Sequence, residues 1–460
     1  MQMEGLFRTY PSLMNASLDL SNKNHIMVVY VEKVRISGNF FKGNTNMRIR
    51  QTHLFFCVVL ILSGTAYSEN PTSISQLTPK TQWIKLYSED IWADREPKLI
   101  NIDSTGYYVV GLSSFRNAEN SYDSRLWIWK LDLQGNRIWS NPVVMPDTNE
   151  NNKILWNSLF VCPKNELMVV AQGSTPKTGP WREETWLIRF DQNGNITSVK
   201  KLDIKNRTLR NIIRTKNGYL ISGQKTGDNN PDAWIMKIDS DGNILWQKTY
   251  DKGKAEDAIS MVATDDGSFT LAANCGEYNK FGGGTSNIWV IKCDDIGNII
   301  SETLFPGRHP TIAITANNTY AVSYNTADFP SLEAYVVGLD NKLNKIWEPL
   351  LLYKGNGLGM YKIETDNRNN FIIAGSKFSE GLCLWKIDQN GKQLWSCLVG
   401  TQNPIAVVEL LLTKDNEFLL AGSAGIRLPM PRDENNQRRK DVQKDISDIL
   451  IAKVTETASD

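Results

Sequence analysis

The chain has 460 residues, with 51 basic and 50 acidic side chains and a formal net charge of +1. This flat balance lacks the basic excess of nucleic-acid binders, so no nucleic-acid partner is predicted. The 14 tryptophans and 15 tyrosines indicate packing positions that recur along the chain.

Residues 47–68 are predicted to be a signal peptide. Arg48 and Arg50 precede an apolar run at 54–62, and Ala66 and Ser68 stand at −3 and −1 before a cleavage point. The run is too short for a good transmembrane helix, so no stable membrane span is expected after cleavage. An exported protein, periplasmic or extracellular, is therefore predicted.

Residues 1–46 precede this signal and are predicted to be a non-native, disordered extension, with Met47 as the true start. The alternative is a membrane-anchored protein with a cytoplasmic tail. Residues 69–81 are predicted to be a linker.

A repeated segment occupies the rest of the chain. Its clearest copy is DAWIMKIDSDGNILWQKTY at 232–250, and related copies recur every 46 to 67 residues, a spacing typical of a propeller blade. The anchor positions of the copies are Asp132, Asp191, Asp239, Asp294, Asp340, Asp388 and Thr455.

Each copy follows a second hairpin such as SMVATDDGSFTLAA at 260–273, so each repeat has four strands, here named a to d. The strands are apolar on both faces, as expected for a sheet between two neighbours. Gln82–Tyr87 resembles strand d, and Ile449–Val454 resembles a strand c without a partner. An all-β fold is therefore predicted over 82–460: a seven-bladed β-propeller of four-stranded antiparallel blades, closed by the N-terminal strand. A miscounted segment would give six or eight blades.

The repeated residues are predicted to be structural. In D-x-x-G-N the glycine comes too early for a calcium loop and suits a three-residue hairpin loop in the left-handed conformation. Aromatic residues at fixed distances from the anchor indicate packing between blades. One set is Trp127, Trp186, Trp234, Trp289 and Tyr335, and the other is Trp139, Trp246, Trp347 and Trp395.

The spacing D-x-x-G-x-x-x-W in 132–139, 239–246 and 388–395 resembles the tryptophan-docking motif of pyrroloquinoline-quinone-type propellers, which have one more residue before the tryptophan. The whole unit is similar to secreted bacterial propeller repeats. The resemblance implies the fold rather than an activity. The quinone enzymes use adjacent cysteines, which this chain lacks, so no cofactor is predicted.

Chemistry-bearing motifs are scarce. His309 is the one histidine after the signal, and there is no GxSxG elbow, Walker loop or dinucleotide fingerprint. No catalytic residue and no metal site are predicted, although a site built from Asp, Glu and Asn alone stays open. A non-enzymatic protein is the favoured interpretation.

The b–c and d–a connections are long and unequal, and strand order places them together on one rim. Loops on a rigid scaffold commonly carry function. Binding of a protein or glycan by a monomer is predicted on this rim, and the alternative is a glycosidase or lyase with a carboxylate pair at the channel mouth. The candidate binding residues are Phe115, Arg116, Trp181, Arg182, Tyr278, Phe281, Phe329 and His309.

A disulfide between Cys383 and Cys397 is predicted from the c–d hairpin. Counting two by two from Asp388 and Lys392 places these cysteines opposite each other, at the closer type of strand pair. The alternative is two reduced thiols. The same counting places Cys275 and Cys293 out of register, so they should remain apart.

Overall fold

The computed structural model divides the chain into two compact units, Met1–Ser75 and Gln76–Asp460. The described residues include no helix, and hence none that could cross a membrane. The structure describes residues 14–17, 27–36, 40–42, 45–47, 52–61, 77–87, 93–103, 105–116, 122–143, 153–162, 166–175, 182–225, 230–277, 286–326, 332–355, 359–377, 381–399, 404–413, 415–427 and 445–458.

The first unit contains an antiparallel sheet in the order β1-β2-β5 and a separate hairpin of β3 and β4. Strand β5 covers most of the apolar run that is predicted to belong to a signal peptide; export stays a prediction. The strands are β1 (Met14–Ser17), β2 (Met27–Ile36), β3 (Phe40–Lys42), β4 (Thr45–Met47) and β5 (Thr52–Ile61).

The second unit is a β-propeller of seven four-stranded antiparallel blades, which confirms the predicted fold class. The strands of blades 1 to 3 are β7 (Ala93–Asp103), β8 (Gly106–Arg116), β9 (Tyr122–Leu131), β10 (Arg137–Val143), β11 (Lys153–Cys162), β12 (Glu166–Thr175), β13 (Arg182–Phe190), β14 (Ile196–Leu202), β15 (Arg207–Thr215), β16 (Gly218–Lys225), β17 (Asp232–Ile238) and β18 (Ile244–Tyr250).

Blades 4 to 6 continue the same order, and blade 7 takes its fourth strand, β6, from before blade 1. The strands are β6 (Leu77–Tyr87), β19 (Ala255–Ala263), β20 (Phe269–Gly276), β21 (Ser286–Cys293), β22 (Ile299–Pro306), β23 (Arg308–Ile314), β24 (Tyr320–Thr326), β25 (Leu332–Leu339), β26 (Lys345–Gly355), β27 (Gly359–Thr365), β28 (Phe371–Lys377), β29 (Gly381–Ile387), β30 (Gln393–Val399), β31 (Pro404–Leu412), β32 (Phe418–Arg427) and β33 (Asp445–Ala458).

Strand β6 closes the ring as predicted. It pairs antiparallel with β33, with Tyr87 opposite Ile449 and Trp83 opposite Lys453. The Tyr87 hydroxyl donates to the carbonyl of Gly135 in blade 1 at 2.6 Å. Blade 7 therefore joins the two ends of the propeller sequence and leaves no open sheet edge at this point.

The core lies between neighbouring blades. The middle strands are buried on both faces, and every residue of β29 is buried. One apolar cluster, for example, combines Ile235 of blade 3 with Phe269 and Leu271 of blade 4. Strands d alternate instead, because they form the outer edge, and β30 has the exposure pattern of a half-solvated strand.

The c–d turns share one hydrogen-bonding pattern. In blade 3 the Asp239 amide donates to the Asn243 carbonyl, and the Asp239 carboxylate accepts the amides of Asp241 and Asn243. Gly242 has a φ of 77°, which favours glycine. The Asp239 carboxylate therefore accepts hydrogen bonds from the amides of its own turn. This confirms the interpretation of the motif as a hairpin turn with glycine in the left-handed conformation.

Tryptophans of strands d pack against the turn glycine of the next blade. A Cβ atom on Gly194 would lie 2.5 Å from Trp139, and one on Gly391 would lie 2.7 Å from Trp347. Trp395 instead donates its indole N–H to the Glu456 carboxylate of blade 7 at 2.8 Å. The predicted packing role of this set is confirmed at these positions, and Trp186, Trp234 and Trp289 of the other set are buried.

The predicted disulfide is wrong, because a bulge shifts the register of the hairpin by one residue. Ile387 pairs with Gln393, but Lys386 pairs with Trp395, so strand d contains one extra residue. Cys383 is consequently opposite Leu398, and Cys397 is opposite Leu384.

Adjacent strand residues point to opposite faces, so the two cysteines contact different blade interfaces. Both carry thiols rather than a shared disulfide bond. Cys275 and Cys293 also carry thiols, and they lie opposite Asn287 and Phe269, as far out of register as predicted.

Candidate functional site

The two rims of the propeller have different connections. On one rim, the turn rim, the a–b turns of blades 4 to 7 repeat the pattern of the c–d turns: an amide donates to the carbonyl four residues later. On the other, the loop rim, the b–c connections differ in length: they join Lys225 to Asp232, Gly276 to Ser286 and Arg427 to Asp445. The sequence variation of the repeat therefore collects on the loop rim.

Strands a surround a central channel of about 500 Å³. Its described lining comes from β7, β15, β19, β23, β27 and β31, and it carries more basic than acidic side chains. The charged residues of this lining are Lys98, Arg210, Arg214, Lys362, Glu364 and Glu409.

An ion-pair network spans blades 6, 7 and 1 within the channel. The Lys362 amine lies 3.2 Å from a Glu409 oxygen and 3.6 Å from a Glu364 oxygen, and the Lys98 amine lies 3.2 Å from the other Glu409 oxygen. Lys98, Lys362 and Glu409 each follow the bulge of their own strand a. The repeated bulge therefore places these three side chains at one level of the ring.

The pKa values of the two carboxyl groups in the network are shifted in opposite directions. Burial alone would raise the pKa of Glu409, but Lys362 and Lys98 outweigh it and hold that pKa below its usual range. Burial raises the pKa of Glu364, whose cationic partner among the described residues is Lys362. Glu409 is thus the carboxylate held ionised, and Glu364 is the one that takes up a proton more readily.

A second polar group lies where strands a begin at the loop rim. The Arg210 side chain donates from Nε to both Asp257 oxygens, at 3.2 and 3.0 Å. The His309 amide donates to the Asn274 side chain at 2.8 Å, and the His309 backbone has a φ of 54°. Neighbouring protein excludes part of the water around the imidazole, and this desolvation, with the charge of Arg308, lowers the pKa of His309.

Within the part of the chain that the structure describes, three carboxylates lie close enough to share a metal ion. They belong to Asp232, Asp251 and Glu256, at the junction of blades 3 and 4 on the loop rim. The sequence predicted no metal site there.

The predicted binding residues that the structure describes lie at strand ends on the loop rim. Phe115 and Arg116 end β8, Arg182 begins β13, and His309 is in β23. These positions belong to blades 1, 2 and 5. Trp181, Tyr278, Phe281 and Phe329 lie outside the described residues. The binding role of all eight stays a prediction.

The channel charges were missed by the sequence analysis. Lys362 and Glu364 interrupt the apolar strand a of blade 6, and Glu409 interrupts that of blade 7. Charged residues within strands that are otherwise buried were the available signal. The partners of a network that joins positions 98 and 409 are far apart in the chain, so the sequence alone could not pair them.

No protein-family model matches the chain, and no match is found among the curated proteins. Solved structures give distant matches, each with a low TM-score. A protein of unknown function from Bacteroides caccae is 12% identical, with a TM-score of 0.38, over 61% of this chain and 97% of that one. Sqt1 from Chaetomium thermophilum is 11% identical, with a TM-score of 0.40, over 74% of this chain and 95% of that one.

Drosophila Semaphorin 2a is 10% identical, with a TM-score of 0.40, over 77% of this chain and 74% of that one. Similarity at this level carries no information about what the protein binds. The resemblance to pyrroloquinoline-quinone-type repeats has no family match behind it and stays a prediction.

Proposed function

We propose that the protein is a non-catalytic binding module that acts after export and holds a protein or glycan on its loop rim. The observation that supports this is the difference between the rims. Turns of one geometry recur on one side, and connections of unequal length collect on the other. A rigid ring that presents variable loops on a single face is a common arrangement for recognition.

The described residues at the inner edge of this rim are polar and could form hydrogen bonds or ion pairs with a bound partner. Arg308 and His309 begin β23, and the charges of Arg210 and Asp257 act on the His309 imidazole. Arginine and aromatic side chains commonly provide most of the binding energy in protein interfaces. The predicted anchors Trp181 and Tyr278 belong to two b–c connections that open on the same rim.

The test measures binding by the purified chain against a glycan array and against proteins of the native cell envelope. Replacement of both Trp181 and Tyr278 by Ala should weaken the Kd for the captured partner by more than about tenfold, without lowering Tm. Lys342→Ala, in the c–d turn of blade 5 on the turn rim, is the matched control and should bind like the wild type. Equal losses in both variants, or unfolding of the Trp181 and Tyr278 variant, would contradict a loop-rim site.

Hydrolysis in the channel is a second candidate function, because Glu364 and Glu409 have pKa values shifted in opposite directions. A proton donor and an ionised carboxylate are what glycoside hydrolysis requires. Lys362 contacts both carboxylates, so a substrate would have to displace its amine from between them. Release of reducing ends from a polysaccharide panel, lost in both Glu364→Gln and Glu409→Gln, would favour this function over the first.

A further inference from the structure

Three carboxylates from separate chain segments converge at the loop rim between blades 3 and 4. Asp232 begins β17, Asp251 follows β18, and Glu256 is the second residue of β19. One carboxylate oxygen from each lies within 4.8 Å of the others. The Glu256 amide donates to the Pro231 carbonyl at 2.7 Å, which holds the start of β19 against the start of β17.

Glu256 is fully buried, and among the described residues only its Oε1 atom has hydrogen-bond partners. Oε1 accepts the Lys254 amide at 3.0 Å and the Cys275 thiol at 3.5 Å. Oε2 has no hydrogen-bond partner among the described residues. A buried carboxylate oxygen without a partner is unfavourable, and an ion bound at this position would remove that cost.

We propose that Asp232, Asp251 and Glu256 bind a divalent cation, Ca²⁺, at this junction. Calcium takes oxygen ligands at 2.3–2.6 Å, so two oxygens on opposite sides of the ion lie about 4.6–5.2 Å apart. The observed carboxylate spacing fits ligands of one ion. Backbone carbonyls and water complete calcium sites that have few protein carboxylates.

Among the described residues, three carboxylates meet two neighbouring cations, which leaves the cluster an excess of negative charge. Lys225 lies 3.8 Å from an Asp232 oxygen, and Arg207 also interacts with Asp232. The two lysines of the d–a connection are directed to carboxylates elsewhere. Lys252 lies 2.6 Å from Glu302, and Lys254 lies 3.6 Å from Glu277.

The competing explanation is a proton on Glu256. Burial raises the pKa of this carboxyl group, and the charge of Asp251 acts in the same direction. A proton would reduce the negative charge of the cluster and leave no divalent-ion site. Metal binding at neutral pH therefore separates the two explanations.

The experiment titrates CaCl₂ into the EDTA-treated and dialysed full chain by isothermal calorimetry. One ion should bind per chain, and Asp251→Asn should weaken the Kd by at least about tenfold, as expected for loss of a ligand. Asp251 is exposed, so this variant should fold. Glu256→Gln, which keeps the size of the side chain, should also lose binding.

Asp241→Asn is the control, because it removes one exposed carboxylate from blade 3 at the turn rim. Calcium should raise the Tm of the wild type and of Asp241→Asn, but not that of Asp251→Asn, because binding stabilises only a folded chain with an intact site. Absence of binding in the wild type, or the same Kd in Asp251→Asn, would overturn the site. Tighter binding of MgCl₂ than of CaCl₂ would overturn the choice of ion.

Discussion

The turn rim and the loop rim close the same blades, yet only the turn rim repeats. Asp239 and its equivalents bind the amides of their own turns, and the turn glycines of blades 1, 2, 4 and 6 meet a tryptophan of the preceding blade. On the loop rim no such motif recurs among the described residues; instead Arg210 pairs with Asp257, and Asp232, Asp251 and Glu256 cluster. The repeated residues therefore specify the ring, and the loop-rim positions that differ from blade to blade are the candidates for binding.

The largest test of this comparison removes the strand that closes the ring. A chain that begins at Ser88 lacks β6, so residues 449–458 of β33 lose their pairing partner on the outer edge of blade 7. We expect it to lose most of the ~5–15 kcal/mol by which a typical domain is stable, because adjoining blades support one another. Urea unfolding followed by circular dichroism measures the loss.

A chain that begins at Gln76 is the matched control, since it omits only the first compact unit and keeps β6. It should unfold at the same urea concentration as the full chain. Similar stability of the two truncated chains would show that β6 does not close the ring.

A smaller effect compares glycines of the two rims. Gly391 on the turn rim has a φ of 83°, and an added Cβ atom would lie 2.7 Å from Trp347, whereas Gly253 on the loop rim has a φ of 82° and nothing within 4 Å. Gly253→Ala should cost about 1–2 kcal/mol from backbone strain alone. Gly391→Ala should cost about 1–3 kcal/mol more, because it also displaces the docked tryptophan. Equal ΔG of unfolding for the two variants, measured in EDTA, would mean that docking contributes no stability.

The ring could be predicted from the sequence because its turns, its packing residues and its strands all recur along the chain. Glycine at the turn, tryptophan seven residues after the anchor, and strand pairs apolar on both faces agree with one another in most copies. The disulfide failed because it depended on a register at single-residue precision. The extra residue in strand d of blade 6 moves Cys397 from one face of the hairpin to the other, and a turn motif does not reveal a bulge two residues beyond it.

The site was less predictable for a different physical reason. Glu409 contacts Lys98 and Lys362 because blades 7, 1 and 6 meet around the axis, and no local sequence pattern predicts these contacts. The Asp232–Asp251–Glu256 cluster likewise draws on three segments brought together by the packing of blade 3 against blade 4. Tertiary constellations of this kind follow from the fold and from no single motif.

The smallest expected effect concerns the channel, where the position after the bulge of strand a is lysine in blades 1 and 6 and glutamate in blade 7. Lys362→Met removes one of the two cationic partners that the structure describes for Glu409 and leaves Lys98. It should cost about 2 kcal/mol, a value between those of an exposed and a buried ion pair, since the Lys362 side chain is 28% exposed. The folded-state pKa of Glu409 is lowered, so its contribution is present above the unfolded value of about 4.3 and is lost as pH falls. The difference in ΔG between wild type and Lys362→Met should therefore shrink below about pH 4.

Lys345→Met, which removes the exposed pair with Glu348, is the control and should change stability by no more than about 0.5 kcal/mol. A cost for Lys362→Met that stays constant from pH 7 to about pH 3 would show that the network stabilises through packing of the lysine stem rather than through its charge.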